Sequence, residues 1–287
     1  MGINYYALVA GLPDILLEDK KVTFSSIDLR NMLEEEVSSS DYNLVELLYM
    51  PFDHYNLLNL FFNTEKEFDK RGNYPLERME KFKDKKNYEI ADIEEVPEYF
   101  ADFLDCIHGE HECVESYYEA EKKLNESFYN FIENLPNTFM KELARYELNI
   151  GNLMTALNGR KYKIDIEDKL IGHDEVTSAL KKRRSRDFGL GNEIDDIEQL
   201  IQIFENENLL EREFKIDLHK WHYLDEMTFF NYFTIEKVLA FIQKLFMVER
   251  WLQLDKEKGR EMFNQLLEDL QSEFQFPEEF TLAYGKK

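Results

Sequence analysis

The densest concentration of chemically capable side chains in the sequence is Cys106-Ile107-His108-Gly109-Glu110-His111-Glu112-Cys113, which sets two thiols and two imidazoles around a glycine. Thiolates and neutral imidazoles are zinc ligands, and four of them complete a tetrahedral site. The spacing C-x-H-x2-H-x-C is not that of a finger or a ribbon, and ligands this close in sequence must fold back tightly to surround one ion. The competing reading is a turn between two helices, with surface histidines, one or two buried cysteines and both thiols free.

A second set of groups consists of carboxylates on apolar helical stripes. Glu147 interrupts the stripe Met140, Leu143, Ile150, Met154; Asp217 lies with Phe214, Leu218 and Trp221; Glu249 falls on the stripe Ile235, Val238, Leu239, Ile242, Leu245, Phe246, Leu252. A buried carboxyl group has its pKa raised toward neutrality and can serve as a general acid or base. It can equally be structural, held by arginine or backbone donors. Arg145, Arg212 and Arg250 are near in sequence and no catalytic partner accompanies the acids, so Glu147, Asp217 and Glu249 are expected to be structural buried acids. His219 and His222 stand one helical turn apart beside Trp221 without an obvious third ligand, and read as partly buried structural residues.

Lys181, Lys182, Arg183, Arg184 and Arg186 form the one basic cluster of an acidic chain. Such a run is either a solvated face or a contact, to a partner or to acidic helices of the same chain. The sequence has no G-x-x-x-x-G-K-[ST], no G-x-S-x-G and no H-E-x-x-H, and Gly189-Leu190-Gly191 lacks the third glycine and the preceding strand of a dinucleotide fingerprint. No cofactor is expected.

The elements that must position these groups are helical. Among 287 residues only 11 are Gly and 6 are Pro, whereas 23 Phe and 16 Tyr supply a large core. The 59 acidic and 35 basic side chains leave a net charge of −24, which disfavours tracking nucleic-acid phosphates or coating anionic lipid. No run approaches the roughly 20 apolar residues of a membrane span. The opening Met1-Gly2-Ile3-Asn4-Tyr5-Tyr6 has no signal-peptide character, so a cytoplasmic protein is expected.

Along the chain, Tyr5–Ala10 is a short apolar segment, either extended or a first helical turn. Ser26 is expected to cap a helix over 27–37, and Ser40 the next, broken or kinked at Pro51 and resuming to Phe62. Residues 63–95 read as a polar excursion. Helices are expected over Pro97 to Gly109, 112–135 and 138–157, the last stopped by Asn158-Gly159. Residues 160–192, with further glycines and the basic run, read as a linker. Three more helices are expected over 193–227, 234–254 and 256–274. This predicts an all-α protein in three helical subdomains, 1–95, 96–192 and 193–287.

The sequence also repeats weakly. Asp53-x-x-Asn56-Leu57-Leu58-x-x-Phe61 recurs as Asn149-x-x-Asn152-Leu153-Met154-x-x-Leu157, and a looser third copy is Glu249-Arg250-Trp251-Leu252. At these residues the chain resembles the C/d family of V/A-type (vacuolar/archaeal-type) ATPase central-stalk proteins. Glu249-Arg250-Trp251-Leu252 followed by Lys258-Gly259 is similar to that family's closing pattern, although Trp251 stands where its members commonly have Asn. Over nearly its whole length the chain is more similar to a bacterial family without assigned biochemistry, whose genes typically accompany V/A-type ATPase operons in Bacteroides-like organisms. The shared segments are Asn4-Tyr5-Tyr6-Ala7-Leu8-Val9-Ala10-Gly11-Leu12-Pro13, Asp187-Phe188-Gly189-Leu190, Glu211 through Trp221, and Phe233-Thr234-Ile235-Glu236 to Glu249-Arg250-Trp251.

The resemblance implies a funnel of three pseudo-repeated helical subdomains on the cytoplasmic face of a membrane rotor ring, receiving the central stalk. Such a protein transmits torque for proton or sodium transport and has no catalytic residues of its own. Its partners would be the other components of the ATPase, with membrane contact only through the complex. The alternative expectation is a helical hydrolase or metal-dependent enzyme using the carboxylates or the Cys/His cluster.

Overall fold

The computed structural model describes residues 3–84, 96–109 and 113–254; the helix expected over 256–274 lies outside them. Among the described residues there are eleven α-helices and no strand. They are α1 (Tyr6–Gly11), α2 (Ser26–Glu36), α3 (Ser39–Phe61), α4 (Leu76–Lys83), α5 (Glu98–His108), α6 (Tyr117–Glu133), α7 (Thr138–Tyr162), α8 (Glu175–Lys182), α9 (Ile197–Phe204), α10 (Leu209–Met227) and α11 (Ile235–Gln253).

Polar residues punctuate the chain as capping chemistry requires. Ser25, Ser38, Ser116, Asn137, Asp174 and Asn208 each accept a hydrogen bond from a backbone N–H in the first turn of the following helix. The caps of α2 and α3 are therefore Ser25 and Ser38 rather than Ser26 and Ser40. Ser25 forms a full capping box with Asp28. Pro51 does not break α3: the helix runs through it, with the ring on the exposed side. The polar excursion after α3 contains α4, whose Met79 and Phe82 are fully buried.

Asn158-Gly159 is not a stop either. Helix α7 continues to Tyr162 and ends on Lys163 in the left-handed conformation. Gly159 is needed for close approach instead, because a Cβ there would lie 2.3 Å from Ile166 Cγ2.

Among the described residues the helices form two apolar cores. The first joins α2 to α6, the start of α7, α10 and α11, with Tyr49, Phe82, Phe100 and Phe103 among its largest buried side chains. The second is built from Leu153, Ala156 and Leu157 of α7 with residues from Leu170 to Phe204. Residues on both sides of 192, where the sequence suggests a subdomain boundary, share this second core. Helix α7 serves both cores, and its buried face turns accordingly, from Phe139, Met140 and Leu143 to Asn149, Asn152 and Leu153. Helices α10 and α11 pack on each other, and α11 packs back on α2 and α3.

Candidate functional site

The three acids singled out from the sequence do not converge. Asp217 is buried and accepts hydrogen bonds from Arg250 Nη2 and from Trp251 Nε1 at 2.7 Å. Glu249 is half-buried and accepts from the Ser26 backbone N–H at 2.6 Å and from Ser26 Oγ at 2.7 Å. That places a second carboxylate, with Asp28, on the positive end of α2. Glu147 is not buried: its side chain is 31% exposed and pairs with Lys220, which also donates to Gln243 Oε1 at 2.8 Å. Of the three arginines expected as partners, only Arg250 holds one of these acids. Arg145 pairs with Glu133, and Arg212 lies over the Phe204 ring. Each acid is thus neutralised within the chain by its own donors, which suits a structural role.

The Cys/His segment is organised differently from a four-ligand site. Cys106 and Cys113 are joined in a disulfide, so the expectation of two free thiols is corrected. His108 is buried, with Nε2 2.6 Å from the carbonyl of Phe82, which ties the end of α5 to α4. His111 lies outside the described residues. Among the described residues no group of three or more His, Cys, Asp or Glu side chains is arranged to hold a metal ion.

The basic run is partly an internal contact. Arg186 pairs with Glu198 of α9 and with Glu205, the residue that ends it, and Arg183 donates to the Gly189 carbonyl at 2.8 Å. Arg160 from α7 sits over the Phe188 ring and donates to the carbonyls of Arg183 and Ser185, closing the loop onto the second core. Lys181, Lys182 and Arg184 are exposed.

The repeat has a structural counterpart in two of its copies. Asn56 holds the loop after its own helix by both ends of its amide: Nδ2 donates to the Asp69 carbonyl and Oδ1 accepts from the Asp69 N–H, each at 2.8 Å. Asn152 holds Ile171 in the same way, at 2.8 and 2.9 Å. A planar amide matches an exposed peptide N–H and C=O pair, and both asparagines are buried, so the bonds satisfy groups that water cannot reach. Beside Asn56, Asp53 is fully buried and accepts from the Asn73 N–H, Asn73 Nδ2 and the Tyr74 N–H. Burial pushes its carboxyl group up to about 7, against the opposing pull of those hydrogen bonds. The third copy lacks the amide: Leu252 occupies the corresponding place, and Glu249 caps α2.

Two further features escaped the sequence reading. A cleft of about 590 Å³ between α7, α10 and the segment before α9 contains Tyr146, His219 and Tyr223 stacked on one another. His219 Nδ1 lies 2.7 Å from the Tyr146 hydroxyl, and desolvation holds the imidazole below its ordinary value; His222 is exposed at the rim.

The second feature is an exposed aromatic pole built from two segments that carry no charged side chain of their own. Residues 227–235, the α10–α11 turn, and residues 3–13 contain no ionisable acid or base other than tyrosine. They meet directly, since the Tyr5 N–H donates to the Phe233 carbonyl at 2.6 Å and the Tyr6 and Phe233 rings are 4.8 Å apart. Phe229, Phe230, Tyr232 and Tyr6 are all mostly exposed, Phe230 by 82%. The signal was present as Phe229-Phe230-Asn231-Tyr232-Phe233, but only the fold shows that these rings are left outside the core.

These features define an all-helical protein whose interior carboxylates are satisfied from within and which exposes a cluster of aromatic rings where its N-terminal segment meets the α10–α11 turn. Membership is settled by its match to a family model: residues 2–274 fit the family described as protein of unknown function (DUF2764), and the chain belongs to it. No curated protein and no solved structure matches the chain. Among the described residues, no helix is long and apolar enough to cross a membrane.

Proposed function

We propose that this chain is a non-catalytic coupling protein of a V/A-type ATPase, seated between the central stalk of the soluble head and the membrane rotor ring. The observation that carries the reading is the exposed aromatic pole, built from two segments without charged side chains, on a chain of net charge −24. Exposed clustered aromatic rings mark a surface that binds something, and a mechanical adaptor needs such surfaces rather than a substrate pocket. The segments that carry the resemblance to the operon-associated bacterial family also meet in space. Asn4–Pro13 packs on Phe233, and the stretch containing Asp217 joins Arg250 and Trp251. Torque transmission requires elements that do not shear, and the internally paired Glu147, Asp217 and Glu249 brace α2, α7, α10 and α11 against one another.

The test is recovery of a tagged chain from its source cells under mild detergent. Stalk and ring components should accompany it, and a Phe229→Ser/Phe230→Ser variant should lose the ring while remaining folded. Isolation of the intact chain alone, with the assembled ATPase recovered in the unbound fraction, would overturn the assignment.

A further inference from the structure

Cys106 and Cys113 are the only cysteines of the chain, and their bridge is placed where a core-building disulfide has little to do. It links the last turn of α5 to the approach of α6, two helices already joined by the packing of Tyr99 on Phe128 and Phe131. Both cysteines are half-buried rather than enclosed in the core. Lys123, on the exposed side of α6, brings its ammonium group to 2.9 Å from Cys106 Sγ. Among the described residues no comparable cation lies beside Cys113.

From this geometry we infer that Cys106–Cys113 is a reversible redox couple, with Lys123 as the positioning residue that makes Cys106 the sulfur to leave and to attack. A nearby ammonium stabilises a thiolate, which is the nucleophile and the leaving group of thiol–disulfide exchange. An external thiolate therefore attacks Cys113 Sγ and forms a mixed disulfide there, while the electron pair of the broken S–S bond leaves on Cys106, facing Lys123. A second external thiol displaces the mixed disulfide. Both protein sulfurs end as thiols or thiolates, and the reductant departs as its own disulfide, so two equivalents of a monothiol or one of a dithiol balance the step. Reoxidation runs the same sequence backwards, with Cys106 attacking a mixed disulfide on Cys113. The α5–α6 packing persists in both states, so the change is local: reduction uncouples Cys113 and Val114 from the end of α5.

The experiment uses the full chain in native buffer with defined ratios of reduced to oxidised glutathione, followed by acid quench and mass mapping of alkylated cysteines. The bridge should open and close reversibly without denaturant, and the trapped mixed disulfide should sit on Cys113. In the reduced protein at pH 7, Cys106 should alkylate several-fold faster than Cys113, and Lys123→Ala should remove most of that difference while leaving the circular dichroism spectrum unchanged. A bridge that yields only when the protein is denatured overturns the redox couple. Equal alkylation rates, or a Lys123→Ala variant that alkylates like the parent, overturn the role of Lys123.

Discussion

Asn56 and Asn152 make the same pair of hydrogen bonds in different parts of the chain, each closing its amide on the backbone N–H and C=O of a residue in the loop after its own helix. The relationship turns a weak sequence repeat into a shared device. It fixes the exit direction of a long helix by satisfying peptide groups that the loop would otherwise bury unpaired.

Removing either amide should therefore be costly. Asn56→Ala and Asn152→Ala each delete two bonds and strand a backbone donor and acceptor, so each variant should lose about 2–3 kcal/mol of stability. Chemical denaturation with unchanged m-value measures it. A loss below about 0.5 kcal/mol for both would show that the clamps contribute nothing.

Gly159 offers a test of why that glycine is there. Inside a helix, a glycine with open space around it would be improved by alanine, whereas the fold places Ile166 Cγ2 2.3 Å from an added Cβ. Gly159→Ala should cost about 1–3 kcal/mol through overpacking. An alanine variant that is as stable as the parent or more so would mean that Ile166 moves aside freely.

Adjacent residues of α3 should give opposite pH dependences. The Asp53 carboxyl group, pushed up to about 7 by burial, binds its proton more tightly folded than unfolded. Its contribution is fully present below about pH 4 and is lost as pH rises through 7. The His54 imidazole, pushed down to about 3 by burial, is held neutral with Nε2 2.8 Å from the Tyr99 hydroxyl. Its contribution is present above about pH 6.5 and is lost as pH falls toward 3. Stability–pH curves of Asp53→Asn and His54→Gln, each subtracted from the parent curve, should slope in opposite directions. Parallel difference curves would contradict both assignments.

At the aromatic pole, stability and association should separate. Phe230 is 82% exposed, so Phe230→Ser should change folding stability by no more than about 0.5 kcal/mol. The same substitution should weaken association with any partner that covers the pole by about 1–3 kcal/mol, since exposed aromatic anchors often dominate interfaces. Thermal melts beside a pull-down separate the two effects. A Phe230→Ser variant that melts well below the parent would place this ring in the fold rather than at an interface.

Much of the architecture was legible in local chemistry. Scarce glycine and proline, serine and asparagine caps, and the long stripe from Ile235 to Leu252 predict helices because capping and amphipathic periodicity are properties of adjacent turns. The same signals mislead where a residue has two uses: Pro51 sits inside α3 because its ring faces outward, and Gly159 admits a neighbouring side chain rather than ending α7. The 3.6-residue period also misplaced Glu147, because α7 leaves one core for another and its buried face turns midway.

What the sequence alone determined, then, is the helical class, the acidic surface, the shortage of catalytic motifs and the two Asx-x-x-Asn copies, all of which depend on composition or on neighbours along the chain. Tertiary structure decided which groups meet: Asp217 with Arg250 and Trp251, Glu249 with Ser26, Cys106 with Cys113 and Lys123, and the N-terminal tyrosines with the α10–α11 turn. The physical reason is that the partner of a charge, a thiol or an exposed ring is fixed by how helices cross, and crossing geometry depends on the summed packing of side chains from separate parts of the chain.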